Sequence, residues 1–86
     1  MNSSDAMGFV KQVKSARIPI IAIYTSPSDY PGKWVARIWD TDSPTGSILI
    51  SDNLDVIQSA IRLMLPQMSF IPRTPEDDPC IVGVYL

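Results

Sequence analysis

The chain has 86 residues, 45% of them hydrophobic, with seven basic and nine acidic side chains, a single cysteine and no histidine, for a formal charge of −2. This length supports one small core rather than two independent domains. A lone cysteine excludes an internal disulfide, and the absence of histidine excludes histidine-based triads, histidine-containing zinc sites and haem attachment through a cysteine–histidine motif.

Residues 1–17 carry Lys11, Lys14 and Arg17 against Asp5, and read as a flexible or partly helical basic arm. Met1–Met7 is expected to fray, and Phe9, Val10 and Val13 supply one short amphipathic turn. The opening stretch lacks the basic and then apolar regions of a secretory signal, so the cytoplasm is the expected location. No apolar run is long enough to span a membrane. Residues 18–86 read as a single small domain with four basic and eight acidic groups. That surface repels phosphate on average and argues against dedicated nucleic-acid binding, with the basic arm as the alternative route to it.

Ile18–Thr25, IPIIAIYT, is rich in β-branched and aromatic residues and predicts a strand with both faces apolar: Ile20, Ala22 and Tyr24 on one, Ile21, Ile23 and Thr25 on the other. Ser26–Lys33 holds two prolines and Gly32 and predicts a turn. Trp34–Asp40, WVARIWD, predicts a returning strand whose alternation sends Trp34, Ala36 and Ile38 to one face and Val35, Arg37 and Trp39 to the other. Asp40–Gly46 is a second turn, and Ser47–Ile50 a short third strand.

Asp52–Leu65, DNLDVIQSAIRLML, repeats its apolar residues at helical spacing, and Pro66 stops it. Ser51 or Asp52 is positioned to cap its start. Met68–Ile71 predicts a fourth strand, and Cys80–Leu86, CIVGVYL, a fifth, with Gly83 marking either a close approach or a bulge. Between them, Asp77 is spaced to reach back to Thr74 in a weak capping-box analogue. The expected architecture is α+β: a small antiparallel or mixed sheet of four to five strands, in the chain order β-β-β-α-β-β, with one helix across one face.

One helix cannot cover both faces of such a sheet. The surplus apolar surface predicts self-association as a homodimer, by packing sheets or pairing edges, or contact with an unidentified protein partner. Trp34, Arg37, Trp39 and Tyr85 are the candidate binding residues, because aromatic and arginine side chains dominate the centres of protein interfaces. The expected function is a non-enzymatic interaction module, a small regulator, adaptor or inhibitor using an aromatic sheet face or edge. No catalytic residue, metal ligand or cofactor is assigned, and no glycine pattern for binding phosphate is present.

The sharpest enzymatic alternative lies in Arg37–Thr45, RIWDTDSPT. In outline it resembles the first catalytic motif of the haloacid-dehalogenase-like phosphotransferases, in which a strand delivers a nucleophilic carboxylate followed by an acid/base carboxylate. The resemblance implies those roles for Asp40 and Asp42. Pro44 departs from that motif, the chain is too short for the family's doubly wound domain, and no later lysine and acidic pair follows in the required order. The motif is therefore read as an aspartate-rich turn, and metal-assisted hydrolysis or phosphoryl transfer through Asp40 and Asp42 stays as the alternative function.

Overall fold

A computed structural model describes residues 3–86 of the chain. The elements are α1 (Ser3–Ser15), β1 (Pro19–Thr25), β2 (Trp34–Asp40), β3 (Ser43–Ser51), α2 (Leu54–Met64), β4 (Phe70–Pro72) and β5 (Ile81–Tyr85). The strands form one sheet in the order β3-β2-β1-β5-β4, with every neighbouring pair antiparallel. This is the α+β class expected from the sequence, with five strands.

The register sorts the side chains into two faces. Ile21 lies opposite Ile38 and Tyr85, while Ile23 lies opposite Ala36 and Gly83, and Ala36 opposite Leu49. These positions join Ile57, Ile61 and Leu65 of the α2 region and Phe9 and Val13 of α1 in one buried cluster. Both helices therefore cover the same face. Burying a side chain the size of Ile57 or Ile61 contributes about 1.5–3 kcal/mol, which holds in place an 11-residue helix too short to persist alone.

The helix α2 begins later than Asp52. Asn53 is its N-cap, accepting a 2.8 Å hydrogen bond from the Asp55 amide, and Ser51 Oγ in turn accepts from the Asn53 amide. At the other end the Leu65 amide still donates to Ile61, and Pro66 stops the helix as expected.

The second helix changes the expected layout. Residues anticipated as a flexible or partly helical arm supply α1, placed before the first strand, and its Phe9 and Val13 are 2% and 4% exposed. Of the stretch expected to fray, Met1 and Asn2 lie outside the described residues, and Ser3–Met7 belong to α1. The linker from α1 to β1 is fastened to the β2–β3 turn. Asp40 Oδ1 accepts from the Arg17 and Ile18 amides, at 3.1 Å each, and the Thr41 amide donates to the Ile18 carbonyl.

Gly83 is the site of a close approach, made by Phe70 and Ile71, and the bulge falls beside it at Val82. The β1–β5 register shifts between Ile23 and Tyr24, so that Tyr24 faces Ile81. A Cβ on Gly83 would also lie 2.6 Å from Phe70 Cε1 and 2.7 Å from the Ile71 carbonyl oxygen, so only glycine admits β4 at this spacing. The Phe70 ring packs on Tyr85 with centroids 5.1 Å apart. No helix among the described residues is long and apolar enough to cross a membrane.

Candidate functional site: the open face of the sheet

The face turned away from the helices carries the other half of the alternation. Across the strands, Ile20 is level with Trp39, Ala22 with Arg37 and Ile48, and Tyr24 with Val35 and Ile50; Val84 and Ile71 continue the Ala22 row. Ala22 and Val35 are buried but stand outside the helix-side cluster. Ile20, Tyr24, Arg37, Trp39, Ile48, Ile50 and Val84 are half-buried, and Ile71 is exposed.

A cleft of about 380 Å³ opens on this face between the sheet and the β1–β2 loop, lined by Tyr24, Pro27, Ser28, Asp29, Arg37 and Trp39. The loop's own bonds set its shape: Ser26 Oγ accepts from the Gly32 amide at 2.9 Å, and the Tyr30 amide donates to the Pro27 carbonyl. Gly32, at φ +78°, takes a conformation costly to other residues. The fold of the loop brings Asp29 over β2, where its Oδ2 accepts from Arg37 Nη2 at 2.7 Å. The guanidinium carbon also lies 5.9 Å from the centre of the Tyr24 ring. The Arg37 and Asp29 side chains remain 29% and 52% exposed, so solvent limits the ion pair to about 0–1 kcal/mol. Its main effect is to hold the guanidinium beside the Tyr24 ring.

Of the four candidate binding residues, this face unites Arg37 and Trp39. Trp34 is on the opposite face, packed against the core, and Tyr85 is 2% exposed within the same buried cluster. Burial raises the Tyr85 hydroxyl's pKa above its ordinary value of 10.0, partly offset by the Arg62 charge. Sequence reading did not select Tyr24 or Asp29 for this site. The alternation in β1 already put Tyr24 on the face of Ala22, but its pairing with the Arg37 side of β2 depends on register.

Of the two aspartates of the enzymatic alternative, Asp40 is engaged by the α1–β1 linker. Asp40 bonds the two linker amides rather than those of its own turn, and these bonds, the Ile18 amide first, hold its carboxyl below the ordinary value of 3.8. Asp42 is exposed in the two-residue turn, and Asp52 is ion-paired with Lys33. Among the described residues no three cysteine or acidic side chains come together in a way that could hold a metal ion. Lys11 and Lys14 are exposed on α1, and Arg17 in the linker after it.

No family model matches the chain, and neither the curated proteins nor the solved structures include a match to it.

Proposed function

We propose that this chain is a cytoplasmic, non-enzymatic protein-interaction module, a small regulator, adaptor or inhibitor that binds other polypeptide chains through the open face of its sheet. One observation carries the reading: both helices lie on one side, leaving the other with Tyr24, Arg37 and Trp39 around a cleft and half-buried aliphatic residues beyond it. An aromatic and arginine centre inside an apolar surround is the composition that concentrates binding energy in protein interfaces. Self-association belongs to the same reading, since an uncovered face or edge accepts a second copy as readily as a foreign chain.

A photo-cross-linking amino acid in place of Trp39, with a control at Leu63 on the exposed outer side of α2, tests it in cells of the source organism. Adducts with polypeptides are expected from position 39 and not from position 63. Equal labelling from both positions, or none from 39, would overturn the assignment of this face. In a reconstituted pair, Trp39→Ala is expected to weaken association by about tenfold or more while the far-ultraviolet circular dichroism stays unchanged.

A further inference from the structure

The sheet has two edges, and they are built differently. β4 is three residues long and ends in Pro72, which has no amide to offer. On either side of β4 the chain only extends the inner ladder with β5, Ser69 and Leu86 exchanging both backbone bonds and the Arg73 amide donating to the Val82 carbonyl, so short length and Pro72 are what blunt this edge. β3, the other edge, is the longest strand at nine residues and carries no charge from Ser43 to Ser51.

Edge strands of monomeric proteins are ordinarily blunted by charges, prolines, bulges or short length, because their free amides and carbonyls template further pairing. In β3 such devices are confined to the first half, which holds Pro44, Gly46 at φ +122° and the register shift opposite Arg37 and Trp39. Ser47 falls in that register shift and donates through its Oγ to Gln12 of α1, whereas Ile48–Ser51 has none of these devices. This segment pairs with β2 in unbroken register, Ile48 with Arg37 through to Ser51 with Trp34. Apart from that ladder, the backbone of Ile48, Leu49 and Ile50 makes no hydrogen bond among the described residues.

We propose that the Ser47–Ser51 half of β3 pairs antiparallel with the same segment of a second copy of this chain, about a two-fold axis at Leu49, to give one continuous ten-stranded sheet. This rests on the reading that the chain acts by contact with other chains, and names a partner and a surface for it. The segment complements itself. With Leu49 opposite Leu49, Ser47 faces Ser51 and Ile48 faces Ile50, and the nearest charge, Asp52, faces Gly46 of the other copy. No like charges oppose one another. The half-buried Ile48 and Ile50 of both copies meet on the open face, which becomes continuous across the pair.

Five-residue edge pairing is small beside interfaces that hold permanently, so the dimer dissociates on dilution, with a Kd on the order of 1–100 µM. Sedimentation equilibrium of the full chain, from roughly 1 to 500 µM, is expected to show the mass rising from monomer towards dimer. Hydrogen exchange of Ser47–Ser51 should slow over the same range. I48K/I50K puts lysine opposite lysine twice and should leave a folded monomer at every concentration. I48K/I50E puts lysine opposite glutamate twice and should restore the dimer, which identifies this register and separates lost pairing from lost folding.

A monomer at the highest concentration, a dimer indifferent to I48K/I50K, or slowed exchange on β4 instead of β3 would overturn the proposal, as would Ser47–Ser51 protection that appears only with a foreign protein. Cross-links from position 39 that survive in a monomeric wild type would end the edge pairing and leave the open-face reading intact. A concentration-dependent dimer with no adducts from position 39 would do the reverse.

Discussion

Strand β2 carries both surfaces of the molecule in alternate residues, and its two sides are buried by different means. Ala36 and Ile38 are sealed beneath α1 and α2 at 0% exposure, with Trp34 packed at the margin of the same cluster. On the reverse side Val35 is also 0% exposed, although no helix covers it. It lies level with Tyr24 and Ile50 and next along the face to Arg37. One face is covered by a second layer, and the other by the lateral crowding of its own larger side chains. Full burial of a small residue thus does not identify a core.

The widest separation between the faces is expected from truncating matched isoleucines. Ile38→Ala opens a cavity under two helices and should cost about 2–4 kcal/mol, whereas Ile48→Ala, on the open face, should cost about 1 kcal/mol or less. Urea unfolding of both variants measures the difference. Equal losses would mean that the open face is as firmly packed as the covered one, and would break the comparison.

Gly83→Ala probes the covered side at its far edge. The new methyl would meet the Ile71 carbonyl, which belongs to the backbone and cannot swing aside like the Phe70 ring. A loss of about 1–3 kcal/mol is expected, with faster hydrogen exchange confined to β4 and the end of β5. The two tryptophans give the next contrast. Trp34→Ala should cost about 2 kcal/mol, because a half-buried ring recovers part of a full core truncation, and Trp39→Ala about 1 kcal/mol or less. Thermal unfolding of each variant should therefore rank stability opposite to the association measured for Trp39→Ala.

How much of this was readable in the chain follows from the range of the interactions involved. The alternation of Trp34–Asp40 assigned the two tryptophans to opposite faces, and the helical spacing of Leu54, Ile57 and Ile61 gave α2, because each pattern repeats within a few residues. The order of the sheet was not legible: β5 enters between β1 and β4, and pairing across some 60 residues leaves no local mark. α1 was underread because Gly8 and a polar start weaken its apolar stripe, and the burial of Phe9 and Val13 depends on a sheet that forms later in the chain. At the site, Arg37 and Trp39 were visible from strand alternation. Asp29 was not, since only the folded β1–β2 loop brings it to Arg37. Tyr85 shows the opposite limit, a polar-tipped aromatic whose position in β5 did not reveal that it would join the buried cluster with Phe70 packed on its ring.

The smallest effect concerns how the helical layer is fastened to the sheet, and it is read through pH. The Asp40 carboxylate holds the linker after α1 by accepting from the Ile18 and Arg17 amides, and those bonds lower its folded-state pKa. A carboxyl whose pKa is depressed by folding contributes stability that is fully present above its unfolded value, near 3.8, and that is lost as pH falls through the lower folded value. Asp40→Asn keeps an acceptor oxygen in place but removes the charge. The variant should melt slightly below wild type at neutral pH, and the two should converge as the wild-type carboxyl protonates below that value. Because the anchored segment is α1, the difference should appear as faster amide exchange in Ser3–Ser15 with β3–β2–β1 pairing unaltered. Convergence without that local signature would place the charge effect elsewhere, and parallel melting curves throughout the acid range would show that the linker amides do not depend on the ionised carboxylate.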